Sequence, residues 1–531
     1  MNKNTRGLYI LFALIVWIKC IYFALNISDA TFCFEELSLA SLIRLLTTYA
    51  AFASLLAWLC FLYYHKVVAA VVQVLIDLWL VANLLYYRSF HDLLSVWSLD
   101  AAGELQLYDG IVLPYLHWGD VCLLILSLIW IISSTRPIFP KYQRTEGKFC
   151  ICTLTMTILL FAPWCIAGAR AGYKVNPFDA YYREVSMGRI WYATTFSPIA
   201  HGMNELLGMR MRNNAHTLPD IPIELYDRLQ QKQATHAHAN VIIVLFESLE
   251  SWVINKEIEG QAITPNLDAL INDSNTSFVK HIIPQVSMGK SSDAQLIVLT
   301  GLLPVNQGVT AMRYMHNVFP SLALASGAEY KKVYVPTPAS AWNQEAMTLA
   351  YGFDSLYAKT ISDRMLVNQV LNDIKKQESF FVLMTTMASH VPFKEYADSS
   401  TLSLPSHIKY ADYLRTVHYT DQCLKPLIDY CRSSSQEPTL LVITGDHTTL
   451  SDTLSKSVPC IIYAPKKMLH TKVEKAYQVD IYPTLLKVMQ CQDYYWQGIG
   501  VSWLEQNKER LTNEREVSNH LIMTNFFSNY Q

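Results

Sequence analysis

The sequence predicts a protein in two parts: a bundle of five membrane-spanning helices, then an α/β domain with a mostly parallel central sheet. Five long apolar runs fall within the first 170 residues. From residue 240 onward, short apolar runs of strand length alternate with helical stretches. We therefore divide the 531 residues into a transmembrane domain over 1–170, an interfacial segment and linker over 171–239, and an α/β domain over 240–531.

The composition supports this division and excludes some classes of protein. The chain is 51% hydrophobic and only 16% charged, whereas a typical soluble domain carries about 25% charged residues. The formal net charge of −2 excludes a strongly basic nucleic-acid binder. Of the 11 cysteines, four lie in the polar half, at Cys423, Cys431, Cys460 and Cys491. They leave room for one or two disulfides, whose pairing the sequence does not determine.

The apolar runs are long enough to consider as membrane spans, since a helix needs about 20 residues to cross. They cover residues 7–25, 39–62, 67–87, 119–134 and 149–169, and the fourth is the shortest. Lys3 and Arg6 precede the first run, and the loop 135–148 carries four basic residues against one acid. Since basic loops stay in the cytoplasm, this pattern predicts an inside N-terminus and places everything after residue 170 outside.

The segment after the last run is predicted to lie at the membrane surface and to belong to neither a span nor a core. Aromatic and basic residues occur together there, which is typical of interfacial segments. They are Tyr181, Tyr182, Arg183, Arg189, Trp191 and Tyr192.

Five strands are predicted in the α/β domain, and chemically versatile residues follow four of them. The strands are Val241–Phe246, Lys332–Val335, Phe380–Met384, Leu440–Ile443 and Cys460–Tyr463. The residues that follow are Glu247, the pair Trp342 and Asn343, His390, and the pair Asp446 and His447. In parallel sheets, ligands bind beyond the carboxyl ends of the strands, so we expect these side chains to meet.

Carboxylate and imidazole groups are ligands for Zn²⁺ or Mn²⁺, and the three residues Glu247, Asp446 and His447 offer such groups. Taken alone, Glu247 fits a solvated strand end equally well, and Gly445-Asp446-His447 also fits a polar turn, though less well than a site. Their joint appearance at one sheet edge favours a metal site.

A candidate nucleophile lies in the stretch Gly289-Lys290-Ser291-Ser292, just before a predicted helix. Free amides and the helix dipole at such a position favour an oxyanion or a phosphate. A serine hydroxyl needs a base or a metal to become nucleophilic. The alternative is an ordinary N-cap serine, and local sequence does not choose between Ser291 and Ser292.

An ordered set of motifs connects these residues to a known family. In chain order they are Asn240-Val-Ile-Ile-Val-Leu-Phe-Glu-Ser-Leu-Glu250, Thr264-Pro-Asn-Leu267, Gly289-Lys-Ser-Ser-Asp-Ala294, Trp342-Asn343, Tyr351-Gly-Phe-Asp354, Ser389-His-Val-Pro-Phe393, Gly445-Asp-His447 and Val479-Asp-Ile-Tyr-Pro-Thr484. With them, the chain resembles the lipoteichoic acid synthase group of the alkaline phosphatase/sulfatase superfamily over essentially its whole length. The resemblance implies a sulfatase-like catalytic domain outside the cytoplasmic (inner) membrane of a bacterium, anchored by five spans.

The resemblance also implies a role for each residue of the site. Glu247, Asp446 and His447 match the ligands of one divalent metal, Mn²⁺ or Zn²⁺, and Ser291 matches the nucleophile, which ligates the same metal. His390 and Trp342 match residues that contact the substrate head group, and His390 is also a candidate acid–base catalyst. The family usually has threonine at the position of Ser291. Its lipoteichoic acid synthases have arginine at the position of Gln344, so Gln344 is a substrate-binding candidate that lacks the charge.

The implied reaction is the transfer of a phospho-head group, with phosphoglycerol favoured, from a membrane phospholipid to a lipid or glycan hydroxyl through a covalent phosphoserine. Transfer of phosphoethanolamine on the same scaffold is the alternative reaction, and a non-catalytic lipid-binding sensor is the alternative from another class. A sulfatase is less favoured because Ser291 is not followed by x-Pro-x-Arg. The neutral Gln344 suggests one transfer per acceptor rather than polymerisation. The sequence leaves donor, acceptor and oligomeric state open.

Overall fold

The structure is a computed structural model of the chain. It describes residues 3–27, 34, 37–90, 93–95, 115–135, 142–144, 147–170, 189–211 and 240–530, the last range with gaps at 307, 395, 406, 434–437, 451–455, 466–472, 506–508 and 512. The described residues form two compact units, one up to residue 211 and the other from residue 240. The predicted boundaries at 170 and 239 stay predictions.

The first unit is a bundle of helices with one small two-stranded sheet, whose strands lie between helices along the chain. Its helices are α1 (Lys3–Leu25), α2 (Leu39–Leu62), α3 (Lys66–Phe90), α4 (Trp118–Thr135), α5 (Gly147–Arg170), α6 (Arg189–Thr195) and α7 (Pro198–Met211). Strands β1 (Tyr63–His65) and β2 (Tyr142–Arg144) pair antiparallel. Each of the five predicted apolar runs is helical, as expected for long apolar stretches.

Among the described residues, three helices are long and apolar enough to cross a membrane. They are Arg6–Leu25, Leu39–Leu62 and Val67–Arg88. The fourth and fifth runs contain shorter apolar helical stretches, Trp118–Ser134 and Ile151–Ala162. The number of five crossings, and the side on which the second unit lies, therefore stay predictions.

The expectation that no part of the segment after residue 170 joins a core is wrong for α6 and α7. Ile190, Ala193 and Ile199 belong to the same buried apolar cluster as residues of α1 to α4. The hydroxyl of Tyr49 on α2 donates to the carbonyl of Thr194 at 2.5 Å. The apolar side chains of this stretch pack onto the bundle, whereas the aromatic and basic residues among them are also typical of an interfacial segment. Tyr181, Tyr182 and Arg183 lie outside the described residues.

The second unit alternates strands and helices as predicted. Its strands are β3 (Asn240–Phe246), β4 (Glu257–Ile258), β5 (Gln261–Ala262), β6 (Thr276–Ile283), β7 (Tyr330–Val335), β8 (Ser355–Ala358), β9 (Phe380–Thr385), β10 (Thr439–Gly445), β11 (Val458–Tyr463) and β12 (Lys475–Tyr477). Its helices are α8 (Pro265–Ile271), α9 (Ser291–Thr300), α10 (Thr310–Arg313), α11 (Leu322–Ala325), α12 (Gln344–Ala350), α13 (Asp363–Ile374), α14 (Ala411–Ser433), α15 (Ile481–Val488) and α16 (Glu514–Met523). Short 3₁₀ helices occur at Ser251–Val253, Ala341–Asn343, Ala397–Ser399, Gln478–Asp480 and Phe526–Tyr530.

Eight of these strands form one central sheet in the order β12-β6-β11-β10-β3-β9-β7-β8. Strand β11 is antiparallel to both of its neighbours, and the other described neighbours pair parallel. The prediction of a mostly parallel sheet is confirmed. All five predicted strands are present with ends shifted by at most two residues, and β6, β8 and β12 were not predicted.

The sheet separates two apolar cores, because side chains alternate between its faces. In β3, residues Val241, Ile243 and Leu245 join the core with α9 and α15. The alternate residues Ile242, Val244 and Phe246 join the core with α13 and α14. Both faces of this central strand are therefore buried, which explains its unbroken apolar run.

The four cysteines of the polar half are free thiols in the structure. Cys423, Cys431, Cys460 and Cys491 are all buried and form no disulfide with one another. They act as small apolar side chains in the cores, which is a common use of buried cysteine.

Candidate metal and nucleophile site

The pairing of two central strands places the two carboxylates of the site next to each other. Strands β3 and β10 are parallel neighbours, and Phe246 pairs with Gly445 in their register. The next residue of each strand is Glu247 and Asp446, so both carboxylates leave the sheet at the same point. Each is almost fully buried, with 4% and 2% of its surface exposed.

His447 completes a group of three side chains that could hold a metal ion. One ligand atom from each of Glu247, Asp446 and His447 lies within 4.8 Å of the others. The Nε2 atom of His447 is 3.5 Å from Oδ2 of Asp446 and 3.8 Å from Oε1 of Glu247. The other ring nitrogen, Nδ1, lies 3.3 Å from the carbonyl of Thr448. A proton on Nδ1 would leave the Nε2 lone pair facing the carboxylates, as metal-binding histidines require.

The hydroxyl of Ser291, the first residue of α9, lies beside this group. It donates to Oε2 of Glu247 at 3.1 Å and lies 3.3 Å from Nε2 of His447. The hydroxyl of Ser292 instead donates to the carbonyl of Gly289 at 2.8 Å, and this side chain is buried. The geometry therefore separates the two serines that local sequence left equivalent, and it places Ser291 at the cluster.

Close packing at Gly445 and two hydrogen bonds to Asp446 fix the loop that carries Asp446 and His447. A Cβ atom on Gly445 would lie 2.3 Å from the carbonyl oxygen of Leu249, so only glycine fits there. Oδ1 of Asp446 accepts the backbone amides of Ser248 and His447, each at 2.7 Å. These bonds leave Oδ2 as the oxygen that faces His447.

Several non-glycine residues at or near the predicted site residues have a left-handed backbone. They are Ser248 (φ 54°), Lys290 (φ 45°), Trp342 (φ 52°), Asn343 (φ 50°) and Phe393 (φ 64°). Such conformations cost about 1–3 kcal/mol each and persist where the surrounding structure enforces them, commonly at functional sites.

The donor set fits a divalent cation. Two carboxylates, one imidazole nitrogen and one hydroxyl form an oxygen-rich group of the kind that binds Zn²⁺ or Mn²⁺. Burial, and next the neighbouring charge of Asp446, raises the pKa of Glu247. Two adjacent buried carboxylates are unfavourable without positive charge, and a bound cation would remove that penalty.

His390 lies on the loop after β9, which is tied to the end of β3. The hydroxyl of Ser389 donates to the carbonyl of Glu247 at 2.5 Å. The amide of Glu247 in turn donates to the hydroxyl of Thr386 at 3.0 Å. Nδ1 of His390 lies 2.7 Å from the carbonyl of Val391. Burial lowers the pKa of His390, while the bond to Val391 and the charge of Asp446 act in the opposite direction.

The structure gives Gln344 a partner that the sequence did not indicate. Its amide nitrogen donates to Oε1 of Gln295 at 3.1 Å, and its amide oxygen accepts from Nε2 of Gln295 at 3.0 Å. Both side chains are buried. This reciprocal pair engages both polar atoms of Gln344 within the protein, so a head group would have to compete with Gln295 for them. Trp342, in contrast, is partly exposed on the same turn.

Residues that sequence reasoning did not select hold the ligands in place. The hydroxyl of Ser248 donates to Oε1 of Glu247 at 2.6 Å and bonds the hydroxyl of Thr449. Oε1 of the buried Glu250 accepts the amides of Thr449 at 3.0 Å and Leu450 at 2.7 Å. In the sequence, an acidic residue at position 250, shortly after an apolar run, was the signal that could have indicated this support of the ligand loop.

Two family models match the chain. A model described as the lipoteichoic acid synthase N-terminal domain matches residues 1–194, and a sulfatase model matches residues 239–491. Together they leave only short segments of the chain unmatched.

Curated relatives span both parts. The chain is 23% identical over 482 residues to lipoteichoic acid synthase 2 of Bacillus subtilis (strain 168), covering 81% of this chain and 73% of that protein. It is 22% identical over 458 residues to lipoteichoic acid synthase of Staphylococcus aureus (strain NCTC 8325 / PS 47), covering 77% and 70%.

One solved structure of an integral membrane protein shares the fold over nearly the whole chain. It is lipooligosaccharide phosphoethanolamine transferase A from Neisseria meningitidis, with a TM-score of 0.56 and 14% identity. The alignment covers 93% of this chain and 97% of that one.

Proposed function

Because the chain belongs to the lipoteichoic acid synthase-like family of the alkaline phosphatase/sulfatase superfamily, we propose that it is a membrane transferase for phospho-head groups. It moves such a group, with phosphoglycerol favoured, from a membrane phospholipid to a lipid or glycan hydroxyl. The observation that carries this proposal is the position of the Ser291 hydroxyl against Glu247 and His447.

In the first half of the reaction, the Ser291 hydroxyl oxygen attacks the phosphorus of the donor lipid. The bond from that oxygen to phosphorus forms as the bond from phosphorus to the diacylglycerol oxygen breaks. Ser291 gives its proton to Glu247, the nearest acceptor, and the departing diacylglycerol oxygen takes a proton from solvent. The head group is left on Ser291 as a phosphodiester.

In the second half, the acceptor hydroxyl attacks the same phosphorus and the bond to Ser291 breaks. His390 is the candidate base for this hydroxyl, because its lowered pKa keeps the imidazole neutral. With its proton on Nδ1, facing the Val391 carbonyl, Nε2 is able to take the acceptor's proton. Ser291 regains the proton from Glu247, His390 releases the acceptor's proton to solvent, and the site returns to its starting state.

Glu247, Asp446, His447 and Ser291 would hold one divalent metal, Mn²⁺ or Zn²⁺. When bound, the metal would lower the pKa of the serine hydroxyl and offset negative charge on the phosphoryl oxygens. Two observations support this assignment: the carboxylates are buried, and Nδ1 of His447 lies against the carbonyl of Thr448. Both restrict the orientation of the ligand side chains before a metal binds. Trp342 and His390 remain the proposed contacts of the head group.

We place the enzyme in the cytoplasmic (inner) membrane of a bacterium, with five crossings and the second unit outside. The basic loop 135–148 and the apolar helices of the first unit support this orientation. The donor is then a phospholipid of the outer leaflet, which the catalytic unit reaches from its own side of the membrane.

The test is intact-mass analysis of the full-length protein after incubation with Mn²⁺ and phosphatidylglycerol or phosphatidylethanolamine in detergent micelles. We expect one adduct, mapped to Ser291, whose added mass identifies the transferred group. Phosphoglycerol supports the favoured reaction, and phosphoethanolamine alone supports the alternative. The matched variants are Ser291→Ala, which removes the adduct, and Ser292→Ala, which retains it. An adduct on Ser292 would contradict the assignment.

A second measurement separates an enzyme from a lipid-binding sensor. Asp446→Ala and His447→Ala should each abolish bound metal and lipid turnover while the protein stays folded. Full turnover after exhaustive chelation would refute the metal-dependent mechanism, and lipid binding without any turnover would favour the sensor.

A further inference from the structure

A buried carboxylate that is not among the candidate metal ligands holds the loop in front of the nucleophile. Asp293 is the third residue of α9 and is 1% exposed. Its Oδ2 atom accepts the backbone amide of Ser287 at 2.8 Å and that of Gly289 at 2.9 Å. Its other oxygen, Oδ1, has no hydrogen-bond partner among the described residues. The carboxylate thus points back from the helix into the preceding loop.

This loop requires such a restraint because its backbone is strained at the residue before Ser291. Lys290 has φ 45° and ψ −113°, a conformation that side-chain-bearing residues rarely adopt. Without fixed hydrogen bonds on its N-terminal side, the loop would relax, and the start of α9 would turn with it. The bonds from Ser287 and Gly289 to one oxygen atom supply that restraint.

Gly289 shows how tightly the carboxylate is packed against the loop. A Cβ atom added there would lie 2.4 Å from Oδ1 of Asp293 and 2.7 Å from the hydroxyl of Ser292. Both distances are shorter than van der Waals contact, so any other residue would displace the carboxylate. Glycine at position 289 and aspartate at position 293 therefore form one structural unit.

We propose that Asp293 is the positioning residue for the Ser291 nucleophile. By accepting the amides of Ser287 and Gly289, it sets the direction in which the first turn of α9 presents the Ser291 hydroxyl. That hydroxyl lies 3.1 Å from Glu247 and 3.3 Å from His447. A displacement of about 1 Å in such a group costs about 100-fold in rate. The inference rests on the proposed function, because it assigns Asp293 a role through Ser291.

The matched control is Asp421, a second buried aspartate in the same unit. It accepts the backbone amides of Asn266 at 3.1 Å and Leu267 at 2.9 Å, which fixes the start of α8. Asp421→Ala removes the same number of backbone hydrogen bonds as Asp293→Ala and leaves the loop of Ser291 untouched.

The experiment measures Ser291 adduct formation and steady-state turnover of phosphatidylglycerol by the full-length protein in detergent micelles. For Asp293→Ala we expect kcat to fall about 100-fold with KM and bound metal per chain unchanged. Asp293→Asn keeps one acceptor oxygen and should recover most of the rate. Asp421→Ala should lower the melting temperature comparably and change kcat by no more than about twofold, in line with an effect on stability alone.

Two further measurements make the inference independent of turnover. Hydrogen exchange at the amides of Ser287 and Gly289 should accelerate in Asp293→Ala and stay slow in Asp421→Ala. Gly289→Ala should reproduce the kcat loss, and the double variant Gly289→Ala/Asp293→Ala should lose little more than either single variant, since both break the same unit.

The outcomes separate this inference from the proposed function. If wild-type protein forms no adduct on Ser291, the proposed function fails and the inference fails with it. If wild-type protein forms the adduct and Asp293→Ala is no slower than Asp421→Ala, only the inference is overturned. Unchanged exchange at Ser287 and Gly289 in Asp293→Ala would also overturn it.

Discussion

At the scale of single residues, the pH dependence of turnover tests whether His390 is an acid–base catalyst or only a structural residue. Burial lowers its pKa below the ordinary value of 6.5, so the neutral form persists to more acidic pH. We expect turnover to hold as the pH falls to about 6.5 and to decline only below it. His390→Gln should lower kcat about 10²–10⁴-fold and remove that acidic decline from the pH–rate profile.

The control for this prediction is His418, a buried histidine of the same unit. Its ring nitrogens lie 3.0 Å from the carbonyl of Ile263 and 3.0 Å from the hydroxyl of Thr401. His418→Gln should leave the pH–rate profile unchanged. The pKa of His390 is lower in the folded protein than in the unfolded chain, so the unfolded chain binds a proton at this histidine more readily. The free energy of unfolding should therefore fall as the pH drops below 6.5. A profile that is the same in wild type and His390→Gln would contradict the acid–base role.

The buried amide pair of Gln295 and Gln344 makes a different residue-scale prediction. Gln344→Leu leaves the polar atoms of Gln295 unpaired, which should destabilise the protein by about 1–3 kcal/mol. Changing both residues to leucine should restore most of that loss, since no polar atom is then left unsatisfied. Thermal unfolding of the full-length protein measures both effects, and a double variant less stable than the single variant would contradict the pairing.

The same pair predicts the effect of an arginine at position 344. Gln344→Arg would bury a charge beside an amide, which is unfavourable without an anionic partner. We expect a loss of stability and no shift from single additions to a ladder of glycerol-phosphate units when labelled products are sized. A ladder formed by wild-type protein would reject single transfer altogether.

At the scale of elements, an ion pair inside the apolar bundle connects three helices. Lys19 on α1 lies 2.5 Å from Asp77 on α3, and both side chains are fully buried. The Lys19 ammonium also donates to Gln73 at 2.9 Å and to Ser127 on α4 at 2.6 Å. Ionisable residues inside spanning helices are costly and are retained where they serve a specific contact.

Replacing one partner of this ion pair should destabilise the protein more than replacing both partners. Lys19→Met leaves the Asp77 charge uncompensated and should destabilise the bundle by about 3–5 kcal/mol. Lys19→Met combined with Asp77→Leu should recover most of the loss, measured as thermal unfolding in detergent. The control is Lys425 and Asp429, an exposed pair one turn apart on α14, whose removal should cost about 0.3–0.5 kcal/mol. Additive losses in the Lys19 and Asp77 cycle would contradict a coupled pair.

At the scale of the whole molecule, the proposed function depends on which side of the membrane each part faces. Five crossings from an inside N-terminus put the loop 135–148 in the cytoplasm and the second unit outside. A cysteine introduced at an exposed position of the second unit, such as Leu349, should react with an impermeant thiol reagent in intact cells. A cysteine introduced at Lys141 should react only after lysis, and the reverse pattern would reject the topology.

The division into two parts, the helical state of the five apolar runs and the existence of the five main strands followed from the sequence alone. Each depends on local patterns, namely the length of the apolar runs and the alternation of short runs with helical stretches. The three unpredicted strands of the central sheet, β6, β8 and β12, lie at or next to its edges, where strands are only partly buried and apolar patterning is weak. The packing of α6 and α7 was missed because Arg189, Trp191 and Tyr192 are also typical of an interfacial segment.

The sequence also determined which residue types stand at the strand ends, and therefore the chemistry of the candidate site. Only the tertiary structure decided which of them meet. The parallel register of β3 and β10 sets Glu247 beside Asp446, and the first turn of α9 selects Ser291 over Ser292. The tertiary structure also pairs the side-chain amide of Gln344 with that of Gln295. The contacts of Ser291 and Gln344 join residues 44 to 156 positions apart, which no local pattern encodes because chain folding alone brings such residues together.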